Sequence, residues 1–315
     1  MNGTTETLLG EALHDLAADH PFVPDVAAAE RRGRRLRRRS WLVRGGTAGG
    51  VLAAGMAVAL GVAGTAGGPP VPPTVASAGP GTGEVAALAE LADAVLAAAT
   101  RPEGDATLVL LEQHNRSGET YRRAEAYGDG GDFYSAPTRD GLAAAVAGRQ
   151  DVANGVFGRE VAIAVDAANG ANLATARQRM ADAALDPGTR AKVTAPPSSI
   201  VTVNHVWGNS VDALVAGGGR PEVRAGVLRI LATLPTVKVA RTTTDGRASL
   251  TLTAGGGTFG DRSVLPEPYR ESLVIDASTG IPVALNGGGT DQSPDLRIGY
   301  TVSRVTLADL AAGKA

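Results

Sequence analysis

The chain has 315 residues, of which 43% are hydrophobic, 20% charged and 3% aromatic, and its formal net charge is -2. The length predicts one or two domains with enough chain to bury a core. Because there is no cysteine, disulfides, thiolate metal sites and cysteine nucleophiles are excluded. The shortage of aromatic residues argues against a stacking surface for single-stranded nucleic acid.

The first predicted element is a short amphipathic helix that ends before Pro21. A helix this short is marginal alone in water, so a partner that covers its apolar stripe would stabilise it. We therefore predict that residues 1–44 contact a cytoplasmic protein partner. A loosely ordered tail with incidental leucines explains the same composition. The candidate docking stripe consists of Leu8, Leu9, Leu13 and Leu16.

The charge of the chain then changes abruptly. Residues 1–44 hold six acids and eight arginines, whereas the 24 residues from 45 to 68 hold no charged residue. As a helix this stretch would span about 36 Å, against roughly 30 Å of membrane hydrocarbon. We predict a single transmembrane helix at 45–68 in the cell membrane, with a cytoplasmic N-terminus and an extracytoplasmic C-terminus by the positive-inside rule. The topology determinants, which also face the anionic lipid of the bilayer, are Arg31, Arg32, Arg34, Arg35, Arg37, Arg38, Arg39 and Arg44.

The same region supports a second interpretation. Arg38-Arg39-Ser40-Trp41-Leu42 resembles a twin-arginine export signal, and Ala76-Ser77-Ala78 offers a small-residue cleavage site. In that case the protein is exported and released, and its tail is only an export address. We expect no nucleic-acid partner for the arginines, because the rest of the chain offers no basic face.

Residues 69–83 are rich in Pro and Gly and predict an extended linker, and residues 84–315 follow as one extracytoplasmic domain. The predicted elements of this domain are, in chain order, a helix at 84–99, strands at 107–114 and 120–127, a helix capped by Thr138, a helical stretch at 161–185 interrupted near Asn169, a strand or buried segment at 200–207, a helix at 221–234, a hairpin of strands 237–241 and 248–253, a hairpin of strands 270–276 and 281–286, and a strand at 297–307.

This order of elements predicts an α+β fold. A curved antiparallel sheet, half-barrel-like, packs on helices and is preceded by a single transmembrane helix. The helix at 221–234 has the clearest apolar stripe, and Pro221 suits its first turn. We expect this helix to cover the concave face of the sheet.

Three blocks of the outer domain carry a family resemblance: PEVRAGVLRILATLPTVKVARTTTDGRASLTL, YRESLVIDASTGIPVALN and YTVSRVTLADL. Together with the tail and the membrane segment, they resemble a group of uncharacterised actinobacterial single-pass membrane proteins that are often associated with extracytoplasmic-function sigma factors. The resemblance is strongest over residues 200–310, and it assigns no functional residue. In architecture the outer domain is similar to half-barrel lipoprotein carriers and to periplasmic regulators of anti-sigma factors.

The sequence shows no motif for catalysis or for a cofactor. The Gly-rich run at 255–260 lacks the lysine of a phosphate loop, and neither HExxH nor GxSxG occurs. Only His114 and His205 lie in the outer domain, too few for a three-histidine metal site. Asp129 and Asp132 fit a solvated turn better than a calcium loop. We therefore predict no enzyme activity, no metal and no cofactor.

These observations predict a membrane-anchored extracytoplasmic sensing or binding protein that regulates a cytoplasmic partner such as a sigma factor. Its outer domain would bind a lipidic or peptide ligand. The alternatives are a lipid or lipoprotein carrier-like binding domain, and an exported protein with a cleaved twin-arginine signal. An exported hydrolase would need a cluster of acids or nucleophiles, and no motif of that kind is present.

Overall fold

The computed structural model describes residues 83–98, 103–151, 155–184, 199–255, 270–288 and 294–315. All of them belong to the same unit of the chain. The predicted docking stripe, arginine cluster, transmembrane helix and nearly all of the predicted linker lie outside the described residues. Within the described ranges, no helix has the length and hydrophobicity needed to cross a bilayer.

The described ranges contain seven helices and eight strands. The helices are α1 (Gly83–Ala97), α2 (Arg139–Ala147), α3 (Gly155–Ala168), α4 (Leu173–Asp182), α5 (Ser199–Gly217), α6 (Pro221–Leu231) and α7 (Leu307–Ala311). The strands are β1 (Ala106–Asn115), β2 (Thr120–Gly128), β3 (Phe133–Ala136), β4 (Val237–Thr244), β5 (Arg247–Ala254), β6 (Glu271–Asp276), β7 (Pro282–Gly287) and β8 (Leu296–Val305).

The strands form one antiparallel sheet in the order β3-β2-β1-β8-β7-β6-β5-β4. Every neighbouring pair is consecutive in the chain except β1 and β8, which pair from Ala106 opposite Val305 to Asn115 opposite Leu296. Turn chemistry explains the local pairing. For example, β4 and β5 meet at Asp245 and Gly246, whose φ angles of 51° and 77° suit the twist of a tight hairpin. The predicted α+β class with an antiparallel sheet is confirmed, whereas its half-barrel curvature stays a prediction.

Both faces of the sheet are covered at the β1–β3 end. Successive side chains of a strand alternate between faces. On one face, Leu108 joins an apolar cluster with Leu142 of α2. On the other face, Tyr127 and Phe133 lie opposite each other in the register and meet Phe157 of α3. The face that carries Tyr127 is therefore the one that the larger helical layer covers.

Helix α6 forms the centre of that helical layer. Nine of its eleven residues are buried, and Pro221 occupies its first turn as predicted. It contacts α1, α3 and α5. The contact with α3 depends on Gly226, because a Cβ there would overlap the carbonyl oxygen of Ala164. The sequence predicted one apolar stripe on this helix, whereas in the structure the helix is buried on nearly every side.

Of the two alternatives predicted for residues 200–207, a strand or a buried segment, the strand is wrong. Residues 200–207 belong to helix α5. The β-branched run at 200–203 favours a strand by intrinsic propensity. However, Trp207, Val211 and Leu214 continue the segment at helical spacing and are all buried. Packing of that helical face outweighs the local preference, which amounts to only tenths of a kcal/mol per residue.

The remaining helices and strands predicted within residues 84–315 are confirmed, apart from shifts at their ends. Helix α3 begins at Gly155, ahead of the predicted start, and the final strand ends at Val305. The final strand ends at Val305 because the next residue, Thr306, is the N-cap of α7. The side chain of Thr306 accepts a hydrogen bond from the backbone N–H of Asp309. The sequence did not predict α7 or β3, which have only five and four residues.

Candidate functional site

A half-open cleft of about 280 Å³ lies where the β2–β3 turn, α3 and the junction of α5 and α6 meet. Small-molecule sites in proteins usually have volumes of about 300–1,000 Å³. The volume of this cleft lies just below the lower end of that range, so a ligand that fits it must be small. Its lining combines four glycines, five apolar side chains and four side chains with polar ends. These are Gly128, Gly131, Gly158 and Gly217; Phe157, Val161, Ala162, Val165 and Ala216; and Tyr127, Asp129, Asp166 and Arg220.

Aromatic rings form one wall of the cleft. The rings of Tyr127 and Phe133 have centroids 4.9 Å apart, and Tyr127 meets Phe157 edge-on at 5.2 Å. The hydroxyl of Tyr127 donates a hydrogen bond to Oε2 of Glu125 at 2.5 Å. Tilted and edge-on ring pairs add to the burial energy. Val161 packs against the same cluster, so this wall is apolar and held in place from several sides.

A run of three glycines that ends at Gly219 joins α5 to α6. A Cβ at Gly217 would lie 2.6 Å from Cγ1 of Val223, and a Cβ at Gly219 would lie 2.5 Å from Cδ of Arg304. Ordinary side chains do not fit at such distances. The run lets the backbone pass between α6 and Arg304, and it places the next residue, Arg220, in the cleft.

An arginine on the last strand holds the β2–β3 turn. Arg304 donates from Nη1 to Oδ1 of Asp129 at 2.9 Å and from Nη2 to Oδ2 at 2.7 Å. It also donates to the carbonyl oxygen of Gly104 at 2.6 Å. Only 8% of the Arg304 side chain is exposed, so this bidentate ion pair is strong and fixes the carboxylate of Asp129. The predicted turn is confirmed, but the ion pair of Asp129 was not predicted.

Arg220 is the cation that lines the cleft. Its Nε donates a hydrogen bond to Oε1 of Glu222 at 2.9 Å, and its Nη2 forms an ion pair with the same oxygen at 2.8 Å. Its Nη1 lies 3.9 Å from Oδ1 of Asp129, which is beyond hydrogen-bonding distance. Among the described residues, Glu222 is therefore the only hydrogen-bond partner of this guanidinium. The side chain of Arg220 is 23% exposed, so its remaining N–H donors face the solvent in the cleft.

Two opposing effects act on the Glu222 carboxyl. Burial raises its pKa, while its own backbone N–H and the hydrogen bond from Arg220 lower the pKa by more. The result is a pKa below the ordinary glutamate value. Glu222 is therefore a carboxylate at neutral pH, and it orients Arg220 from one side.

The second carboxylate of the lining has its own arginine. Oδ2 of Asp166 accepts a hydrogen bond from Nη1 of Arg179 at 2.7 Å. Both side chains are about half exposed, so this pair contributes little to stability. It does neutralise Asp166. Arg220 is paired with Glu222 as well, but its Nη1 has no hydrogen-bond acceptor among the described residues.

His114 and His205, which the sequence analysis did not assign to a site, lie in different elements. His114 lies near the β1–β2 turn, with Nδ1 3.1 Å from Oγ1 of Thr120 and Nε2 3.0 Å from Oε1 of Glu112. His205 lies within α5. In the part of the chain that the structure describes, no group of three or more His, Asp or Glu is placed to hold a metal ion. The Gly-rich run at 255–260 lies almost wholly outside that part.

Sequence reasoning missed Arg220, Arg304 and the cleft itself. The available signal was the order Gly-Gly-Gly-Arg-Pro at 217–221, in which a glycine run delivers an arginine to the start of a helix. Nothing local marks Arg304, because its partner Asp129 is 175 positions away. Comparisons with protein-family models, with curated proteins and with solved structures give no match for the chain.

Proposed function

We propose that this chain is a single-pass membrane protein that carries a binding domain on the outer side of the membrane. The observation that carries the proposal is the change from eight arginines in residues 1–44 to no charged residue in residues 45–68. A basic cluster beside an uncharged stretch of that length is typical of a membrane anchor with its basic side in the cytoplasm.

The cleft supports the binding part of the proposal. It joins an apolar wall to Arg220, whose guanidinium keeps donors toward solvent. Binding sites for small molecules usually combine apolar walls with a few polar groups of fixed position. Arg304 and Glu222 hold the polar groups at this cleft in place. We therefore infer that the domain senses or binds a small molecule.

Regulation of a cytoplasmic partner is the third part of the proposal. It rests on the leucine stripe of the tail and on the resemblance to proteins associated with extracytoplasmic-function sigma factors. We test this part of the proposal by crosslinking the full chain in cells and identifying the captured proteins. We expect a cytoplasmic partner that is lost in Leu13→Asp and kept in Thr4→Asp, which adds the same charge outside the stripe. Equal capture by both variants would remove the tail from the proposal.

Membrane fractionation with an intact-mass measurement tests the anchor. A C-terminally tagged chain that keeps its full length and resists carbonate extraction is the expected result. Soluble protein shortened by about 78 residues would contradict the anchor and establish the cleaved export signal instead. The two outcomes differ in both mass and solubility, so one preparation separates them.

A carrier of lipid is the second candidate. Its specific support is the apolar wall of the cleft at Phe157, Val161 and Val165. A cleft of about 280 Å³ at the small end of ligand sites favours a small molecule over a lipid with several acyl chains. Native mass spectrometry of the purified chain decides between them, because the carrier alone requires co-purified lipid.

A further inference from the structure

We propose that the cleft binds a small soluble molecule with one anionic group, a carboxylate or a phosphate, on a compact apolar body. Arg220 would take the anionic group, and the wall around Phe157 and Val161 would take the apolar body. This inference rests on the binding role proposed above and names its ligand class. It does not depend on the membrane anchor.

The first step of the argument is the donor count at Arg220. A guanidinium has five N–H donors in a planar fork. At Arg220 the hydrogen bond from Nε and the ion pair of Nη2 both use Oε1 of Glu222, and among the described residues the ion-pair partner of Nη1 is Asp129 at 3.9 Å. Arginine binds carboxylates and phosphates best through paired donors. The Nη1 edge of this side chain can therefore accept an anionic group from the cleft.

The second step is the occupancy of the lining carboxylates. A cationic ligand would need a free carboxylate, but each one already accepts from an arginine at 2.7 Å. Asp129 is bound by Arg304, and Asp166 is bound by Arg179. An anionic ligand needs no such exchange of partners. Arg220 is itself paired with Glu222, but its Nη1 has no acceptor within hydrogen-bonding distance among the described residues, so an anion can bind there without displacing a partner.

The third step is the position of Arg220 relative to α6. Arg220 is the N-cap residue of this eleven-residue helix, and its side chain makes no capping hydrogen bond. The N-terminal end of a helix carries a positive partial charge, which adds to that of the guanidinium. Helix end and side chain thus carry charge of the same sign, part of which the Glu222 carboxylate in the first turn compensates.

The fourth step is the apolar wall. Tyr127, Phe157, Val161 and Val165 line the cleft, and Phe133 packs against the rings of Tyr127 and Phe157 from outside the lining. Inorganic phosphate alone would leave this surface in water. An apolar group on the anion would cover it and gain roughly 25 cal/mol for each Å² of apolar surface removed from water. The ligand class is therefore an amphipathic anion and not a bare ion.

Isothermal titration calorimetry on the full-length chain in an uncharged detergent tests the inference. The probes are phenyl phosphate and phenylacetate as amphipathic anions, inorganic phosphate as the bare ion, and 2-phenylethanol as the neutral analogue. The variants are Arg220→Gln, which removes the charge, and Arg116→Gln, which removes an exposed arginine paired with Asp295 outside the cleft. Empty micelles give the blank, and circular dichroism confirms that each variant is folded.

We expect at least one amphipathic anion to bind with a Kd below about 1 mM. Arg220→Gln should weaken this binding at least about tenfold, as for loss of a charge-assisted hydrogen bond, while Arg116→Gln leaves it unchanged. A further variant, Glu222→Gln, keeps the acceptor oxygen but removes the competing charge, so it should tighten binding.

Absence of binding by both anions, equal binding by 2-phenylethanol, or equal affinity of wild type and Arg220→Gln would each overturn the inference. If Arg220→Gln does not fold, Glu222→Gln decides the matter by the direction of its change. The outcome of membrane fractionation does not affect the outcome of these titrations. Failure of the membrane anchor and failure of the anion site are therefore distinguishable.

Discussion

At the scale of single residues, the close contact between α3 and α6 depends on Gly226. A Cβ at this position would overlap the carbonyl oxygen of Ala164 on α3, and that oxygen belongs to helical backbone that cannot rotate away. Gly226→Ala must therefore push α3 and α6 apart. Because α6 is buried on nearly every side, the surrounding side chains would have to repack as well.

We expect Gly226→Ala to lower the free energy of unfolding by about 3 kcal/mol. Chemical denaturation followed by circular dichroism measures the change. The matched control is Gly158→Ala, also within a helix, where an added Cβ meets nothing within 4 Å. The control should be neutral or stabilising by up to about 1 kcal/mol, because alanine favours the helix. Equal effects of the two substitutions would contradict the close helix contact.

The turn between β6 and β7 is organised by one carboxylate oxygen. Oδ1 of Asp276 accepts hydrogen bonds from the backbone N–H and hydroxyl of Ser278 at 2.9 and 2.7 Å. The same oxygen accepts from the backbone N–H and hydroxyl of Thr279 at 2.8 and 2.9 Å. Burial raises the pKa of Asp276, but the hydrogen bonds from these four donors lower the pKa by a larger amount. The pKa of Asp276 therefore lies below the ordinary aspartate value. The folded chain thus binds this proton more weakly than the unfolded chain.

Asp276→Asn keeps an acceptor oxygen and removes the charge. We expect the wild type to be more stable than this variant by about 1 kcal/mol at neutral pH. The advantage is complete above the ordinary aspartate pKa, near about 4, and is lost as the pH falls through the lowered pKa of the folded state. Unfolding measured from pH 7 down to pH 2.5 checks the sign. A difference that grows on acidification would contradict the assigned hydrogen bonds.

At the scale of elements, Arg224 connects α6 to the sheet. Its Nε donates to the carbonyl oxygen of Thr279 at 2.7 Å, and its Nη1 donates to that of Gly218 at the same distance. Burial lowers the pKa of this arginine, with Glu222 opposing the change. Two carbonyl groups from separate loops thus depend on one buried side chain.

Arg224→Met keeps much of the volume and removes the donors. We expect the free energy of unfolding to fall by about 2 kcal/mol, because the buried carbonyl group of Gly218 and the partly buried carbonyl group of Thr279 lose their donor. Hydrogen exchange should also show faster opening of the β6–β7 turn, since the anchoring contact of Thr279 is gone. Unchanged exchange there would show that the hydrogen bonds do not hold the turn.

Elements with strong local signals were predictable from the sequence. Asp245-Gly246 and Gly280 mark hairpin turns through backbone conformations that favour glycine, and Pro221 marks the start of α6. Helix α5 was mistaken in part because the β-branched run at 200–203 precedes its buried face. The side chains that decide its conformation, such as Trp207, act through packing and have no local signal.

The candidate site could not be predicted for a related reason. It depends on the pair between Arg304 and Asp129, which are 175 positions apart and meet only once the sheet is formed. Gly219 contributes through the absence of a side chain beside Arg304. Only Arg220, directly before Pro221, carried a local signal, and that signal indicated a helix start and not a binding group.

At the scale of the whole molecule, the last strand completes the sheet. Strand β8 lies between β1 and β7, so it joins the β1–β3 end to the hairpins that β4–β7 form. This pairing links positions 106 and 305. Such long-range contacts form late and slowly. Because Arg304 lies on β8, the cleft is complete only when the sheet is complete.

The proposed orientation of the chain in the membrane rests on the arginines at 31–39. Because the protein has no cysteine, Ser117→Cys in the exposed β1–β2 turn is a unique site for a membrane-impermeant maleimide. In intact cells we expect this site to be labelled. Replacing the seven arginines of 31–39 by glutamine should lower the labelling by about half or more, because the positive charge that retains the tail is lost.

Replacing the same seven arginines by lysine separates the two export hypotheses. Lysine keeps the charge, so an anchor oriented by charge alone keeps its full length and its labelling at position 117. A twin-arginine signal is instead read by a receptor as an address, which lysine does not reproduce. Loss of labelling in the lysine variant would therefore contradict the charge-oriented anchor. Retained labelling would show that the number of charges in this cluster, and not their identity as arginines, places the α+β domain outside.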